Sequence, residues 1–139
     1  MDNRDARIRI HATMFPCNRS TAESVGYDIR CATGFSIKQG EIVVVDTGVF
    51  LEMPACTYAM VCSRSGLASK GIFVANAPGI IDPDYKDEIK VILFKGTAEP
   101  ATTHFKAGDR IAQLVFAKTL LGTDIAAGER KGGLGSTGE

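Results

Sequence analysis

The chain has 139 residues, with 16 lysines and arginines set against 16 aspartates and glutamates. That length suits one domain with its own buried core, and the charge balance excludes a global field that would draw it to nucleic acid or a membrane surface. Cys17, Cys31, Cys56 and Cys62 contain no Cys-x-x-Cys pair, which argues against structural zinc and for reduced thiols in a cytoplasmic or nuclear setting. The charged start, Met1 to Asp5, does not fit a signal peptide, and no apolar run approaches the roughly 18 residues of a membrane span.

In chain order, apolar residues recur at period two or in short β-branched runs: Arg7–Ile10, Ile42–Val45, Val49–Leu51, Tyr58–Cys62 and Ile89–Phe94. Turn signals separate them at Thr33-Gly34, Gln39-Gly40, Thr47-Gly48, Met53-Pro54, Lys95-Gly96 and Gly108-Asp109. Ile111–Ala117 has helix-forming residues, but its place after a Gly-Asp turn reads as a buried strand. One helical turn is expected near Ser65 to Lys70. Many short strands at this spacing predict an all-β sandwich, jelly roll or small barrel. The segment 1–120 is expected to form the core domain. Residues 121–139 are too rich in glycine and hydroxyls to bury a core, and on composition alone they read as a solvated terminus.

Candidate chemistry gathers in five places. Asn76–Tyr85 packs an amide, turn formers, two carboxylates and a ring between two apolar strands; Asn76 offers a donor and an acceptor, Gly79 allows close backbone approach, and Asp82 and Asp84 are candidate bases. Ser63–Ala68 sets Arg64, Ser65 and Gly66 side by side, a chemistry suited to phosphate or, equally, an arginine on a turn. Asp28 after Gly26-Tyr27 reads as a turn former or as a carboxylate holding water on a divalent ion. Asp109, Arg110 and Gln113 extend a polar site, unless Asp109 and Arg110 pair with each other. Arg130 and Lys131 head a glycine-rich stretch able to close over an anion. His11 and His104 have no ligand or base spacing, and Cys62-Ser63 has no nearby histidine to activate a nucleophile. Walker-type and dinucleotide-binding glycine patterns are missing from the sequence.

Taken in order, Gly26–Ala32, Arg64–Ala68, Asn76–Tyr85, Gly108–Leu114 and Gly132–Gly138 resemble the five ordered motifs of the trimeric deoxyuridine triphosphatases. The resemblance covers nearly the whole chain. It implies a distorted jelly-roll or β-clip subunit in a homotrimer, with a flexible C-terminal tail and active sites between subunits that split dUTP into dUMP and pyrophosphate with Mg²⁺. Direct nucleic-acid binding and membrane association are not expected.

Residue by residue, the resemblance makes Asp82 the general base that activates water for attack on the α-phosphorus, and Asp28 the carboxylate that holds Mg²⁺ through water. Arg64, Ser65, Gly66 and Gln113 would bind phosphates. Asn76 and the backbone of Gly79, Ile80 and Ile81 would read uracil, Lys90 would reach the base through its backbone, and Tyr85 would exclude a ribose 2′-hydroxyl. Arg130, Lys131, Leu134, Gly135, Ser136 and Thr137 would close over the nucleotide from a neighbouring subunit. Three positions depart from the family pattern: Leu134 where an aromatic is usual, a tighter Arg130–Gly133 spacing, and Asp87 where glycine is common. They keep open a regulatory or binding module derived from this family, with weak catalysis. A dCTP deaminase-type enzyme, sharing the Arg-Ser motif but needing a glutamate-based site, is the other alternative.

Overall fold

The computed structural model describes residues 7–125. Its strands are β1 (Arg9–Ala12), β2 (Tyr27–Arg30), β3 (Phe35–Lys38), β4 (Ile42–Asp46), β5 (Val49–Glu52), β6 (Thr57–Cys62), β7 (Ile72–Val74), β8 (Gly79–Ile81), β9 (Lys90–Lys95), β10 (Thr102–Phe105) and β11 (Arg110–Lys118), with one short helix, α1 (Ser65–Ala68), between β6 and β7. Every strand pairing is antiparallel. The strands form sheets ordered β2-β11-β6-β8 and β4-β9-β7, plus the two ribbons β1-β5 and β10-β3. This is the expected all-β, distorted jelly-roll architecture.

The alternation in the sequence becomes two faces. In β9, Val91, Leu93 and Lys95 are buried while Ile92 and Phe94 are half-buried on the other side. Ile29, Ile37, Val91, Leu93, Ile111 and Leu114 are almost fully enclosed, and each such side chain contributes roughly 1.5–3 kcal/mol over its exposed state. β11 settles as a strand because it pairs with β2 on one side and β6 on the other. A bulge between Arg110 and Ala112 lets Ile111 and Ala112 both face inward, which blurs the period-two signal. The four cysteines are free thiols, as expected.

Several elements differ from the sequence reading. The first strand spans Arg9–Ala12 instead of Arg7–Ile10, and its mostly exposed pattern explains why alternation did not fix its bounds. Gly79–Ile81, expected as part of a loop, is a strand hydrogen-bonded to β6. β3, β7 and β10 are further short strands, each of only three or four residues.

The corner between β4 and β5 turns on Gly48, at φ +70. A Cβ there would press on Met14 Cγ at 2.7 Å and Thr13 Oγ1 at 2.8 Å, so glycine serves both the backbone conformation and the packing. Thr47 beside it is buried, donating its hydroxyl to the Ile89 carbonyl at 2.6 Å. The β4–β5 corner is thereby sewn to the strand that returns from the Asn76–Tyr85 segment.

Candidate active site

β8 is an edge strand, paired with β6 through Gly79–Val61, Ile80–Met60 and Ile81–Ala59. Its other edge therefore presents backbone N–H and C=O groups without a strand partner. Pleating turns Gly79 and Ile81 inward and leaves Ile80 57% exposed. The Asn76 side chain lies over Gly79: a Cβ on that glycine would stand 3.3 Å from Asn76 Nδ2. Among the described residues the Asn76 amide has no hydrogen-bond partner.

These groups line a cavity of about 310 Å³ together with Asp82, Tyr85 and Lys90, and its walls are Val44, Val61, Ile89 and Ile92. That is the lower end of the size range of small-molecule sites, mostly apolar with a few polar groups converging on it. Asp82 is exposed and also borders an adjoining groove of about 790 Å³ that runs past Cys56, Tyr58 and Leu121. A turn holds the Asp82 end of the loop, with Tyr85 N donating to Asp82 O at 3.1 Å. The Tyr85 hydroxyl donates to the Glu88 carbonyl at 2.8 Å. Lys90 donates to Asp46 Oδ1 at 2.6 Å, and this hydrogen bond raises the pKa of its ammonium. Its side chain is thus engaged with Asp46 beside the cavity. Asp87 is exposed and lines neither space.

A second group forms where β2, β11 and the end of β6 meet. Asp28, Gln113 and Cys62 are cross-strand neighbours in one row. The Asp28 carboxylate, only 14% exposed, lies 3.6 Å from an Arg110 guanidinium nitrogen and 4.0 Å from Arg64 Nε. Arg64 also donates to the Arg110 carbonyl at 3.4 Å. Two guanidiniums around one carboxylate leave excess positive charge for an anion. Gln113 Nε2 donates to Ser63 O at 2.9 Å, while Ser63 Oγ accepts from Val74 N at 2.9 Å. Ser65 and Gly66 head α1 beside Arg64 and are exposed, with open space where a Gly66 Cβ would point.

Asp109 and Arg110 do not pair with each other. Asp109 Oδ2 accepts from Lys106 N at 2.8 Å within the turn, and Arg110 turns to Asp28 across the strands. His11 and His104 have local partners, Glu52 and Ser36, each at 2.6 Å. Two further residues support these groups without standing out in the sequence. Gly26 leaves the space in which the Gln113 amide lies, and Glu88 braces the loop that carries Tyr85. A glycine beside an aspartate, or a glutamate ahead of a strand, is too common to signal either role.

Among the described residues no three His, Cys, Asp or Glu side chains converge to hold a metal directly. Asp28 still fits an outer role, because neither arginine contact is a short hydrogen bond and its oxygens retain lone pairs for a hydrated cation. Neither of the two spaces that Asp82 borders is lined by a glutamate, so the described residues give a deaminase-type site no support. Arg130, Lys131, Leu134, Gly135, Ser136 and Thr137 lie outside the described residues.

The dUTPase family model matches residues 12–138. The deoxyuridine 5′-triphosphate nucleotidohydrolase of Anaeromyxobacter sp. (strain Fw109-5) is 42% identical over 125 residues, covering 85% of this chain and 84% of its own. The enzyme of the same name from Desulfitobacterium hafniense is 40% identical over 129 residues, covering 86% and 84%. Among solved structures, a mutant dUTPase from phage phi11 of S. aureus superposes with a TM-score of 0.79 at 20% identity, covering 88% of this chain and 97% of that one, which supports the fold. With the family model matched across most of its length, this chain belongs to the dUTPase family.

Proposed function

We propose that the chain hydrolyses dUTP to dUMP and pyrophosphate, with Asp82 as general base. The observation that carries this reading is the cavity in which the unpartnered Asn76 amide, the free edge of β8 and the Tyr85 ring converge beside the exposed Asp82 carboxylate. Asn76 and the β8 backbone match the alternating acceptors and donor of a uracil edge. The apolar walls favour a flat ring, and in this reading thymine is rejected by shape. Tyr85 packs against the sugar where a ribose would place its 2′-hydroxyl. Lys90 follows the base along its backbone.

Asp82 takes a proton from the attacking water as that water adds to the α-phosphorus, and pyrophosphate leaves on the opposite side. Arg64, Ser65, Gly66 and Gln113 orient the phosphates, and Arg130 or Lys131 meets the γ-phosphate. Mg²⁺, when bound, neutralises triphosphate charge and aligns its oxygens; Asp28 would hold it through water. The solved phage phi11 dUTPase coordinates a structural Mg(II) ion, which supports a metal for this chain.

Among the described residues, Asp28, Arg64 and Gln113 line neither of the spaces that Asp82 borders. This supports a homotrimer in which the Asp82 loop of one subunit faces the arginines of the next. Val44, Ile80, Leu120 and Leu121, at 58%, 57%, 97% and 81% exposure in the single chain, offer apolar surface for that assembly. Residues 121–139, through Leu134, Gly135, Ser136 and Thr137, complete the proposed site from a neighbouring subunit.

The test is pyrophosphate release from dUTP, dTTP, dCTP and UTP in parallel, with and without Mg²⁺, while ammonia is followed with dCTP. Selective, Mg²⁺-dependent release from dUTP is expected. Ammonia from dCTP would identify a deaminase, and no turnover of any nucleotide would leave a binding module.

A further inference from the structure

The proposed chemistry makes no use of Glu88, yet its carboxylate is one of the most engaged in the chain. Oε2 accepts hydrogen bonds from Thr47 N at 3.1 Å and Gly48 N at 2.7 Å. The same corner holds the next peptide: Thr47 Oγ1 donates to Ile89 O at 2.6 Å, and Ile89 N donates to Val49 O at 2.8 Å. These bonds fix the backbone on both sides of the Glu88–Ile89 peptide link to a corner about 40 residues earlier in sequence. Lys90 Nζ, 3.6 Å from Oε1, balances the charge from the other side.

What this fixed backbone offers in return is the Glu88 carbonyl, which accepts the Tyr85 hydroxyl. Tyr85 stands on a loop, is 38% exposed as a residue and lines the cavity. Packing alone leaves such a ring free to swing, whereas a tether at its far end fixes the distance between ring and sugar. A side chain that excludes one hydroxyl must be held to a fraction of an ångström, because a ring that yields admits the larger sugar.

We propose that Glu88 is a positioning residue for sugar specificity. Its carboxylate locks the carbonyl that tethers Tyr85, so the β4–β5 corner sets how sharply the cavity rejects a ribose. This rests on the reading of Tyr85 as the sugar-excluding residue, and the experiment separates the two.

The experiment measures kcat/KM for dUTP and UTP in the full-length protein, in Glu88→Ala, Glu88→Gln, Tyr85→Phe and Tyr85→Ala, and in the Tyr85→Phe/Glu88→Ala double variant. Glu88→Ala should lower the dUTP over UTP ratio by about tenfold, the scale of a discriminating contact that has become loose. Glu88→Gln keeps an oxygen that accepts both N–H groups and should restore the ratio to within about threefold of the parent. Tyr85→Phe should lower the ratio as Glu88→Ala does, and the double variant should fall no further, because both changes cut one tether.

If Tyr85→Ala keeps the parent ratio, the sugar reading fails and takes this proposal with it. If Tyr85→Ala lowers the ratio while Glu88→Ala leaves it unchanged, only the role of Glu88 is overturned. Should Glu88→Ala not fold, Tyr85→Phe decides: an unchanged ratio there removes the tether.

Discussion

The two halves of the proposed site differ in the physics they offer a ligand. The Asn76–Tyr85 cavity is walled by Val44, Val61, Ile89 and Ile92 and offers neutral groups at fixed positions. The Asp28–Arg64–Arg110 group offers charge, and its members engage one another at 3.6–4.0 Å. Shape discriminates only when its frame is rigid, and the backbone beside the cavity is tied to a distant corner through Thr47 and Glu88. Charge attracts over a longer range, but by itself it cannot tell uracil from thymine or deoxyribose from ribose.

Asp82 borders the base-reading cavity as the proposed general base, and its loss should have the largest effect. Asp82→Asn keeps the shape of the side chain and its place by the cavity but cannot take the proton from water. Turnover should fall by roughly 10²–10⁴-fold, the usual worth of a general base, while dUTP binding measured calorimetrically stays close to that of the parent. Near-parent turnover would remove Asp82 from the base role.

A sharper separation comes from Arg64→Lys, which preserves charge but removes the planar fork. A loss of about 100-fold in kcat/KM for dUTP is expected, the scale of misplacing a reacting group by about an ångström. The preferences for dUTP over dTTP and over UTP should remain as they were. A changed base or sugar preference would mean that the two halves are not separable.

How much of this was legible in sequence follows the same division. Ile89–Phe94 declared itself because its alternation matches one buried face, and Ile42–Val45 because it is an unbroken β-branched run, although only Val45 in it is buried. β3, β7 and β10 offer too few residues for a period to show, and β8 was hidden because glycine and proline announce a loop even where the chain goes on to pair. In the site, Asn76, Asp82 and Tyr85 lie within one stretch, so local sequence was enough to propose a cavity. The meeting of Asp28 with Arg110 depends on the register of β2 against β11 and on a bulge, neither of which local composition fixes. Asp109 looked like the natural partner of Arg110 only because it is adjacent.

Gly26 tests whether the charged half also needs a precise frame. A Cβ placed there would overlap Gln113 Oε1 and lie 3.0 Å from its Cδ. The amide must then move, and its bond to Ser63 O at 2.9 Å goes with it. Gly26→Ala should lower kcat/KM for dUTP by about tenfold, a partial misplacement of a binding group, and it should add little when Gln113 is already alanine. Equal losses in the presence and absence of the Gln113 side chain would show that Gly26 acts on the fold at large and not through the amide.

The smallest effect is expected from the inside of the charged half, at Cys17. Burial, with the negative charge of Asp28 as a second cause, pushes this thiol up from 9.0 to about 11. The folded pKa therefore lies above the unfolded one, so the stabilisation is complete below pH 9.0 and is lost as pH rises toward about 11. At pH 10 the unfolded chain has largely released this proton while the folded chain still holds it, which costs about 1.4 kcal/mol. Cys31 and Cys62 are also raised by burial and act in the same direction. Urea unfolding at pH 7 and pH 10 should accordingly show a smaller alkaline loss in Cys17→Ala than in the parent. Asp28→Asn should reduce the loss as well, by less, because desolvation is the larger cause and the carboxylate charge only the second. An alkaline loss identical in parent and Cys17→Ala would place the titration elsewhere and uncouple this buried thiol from the charge of Asp28.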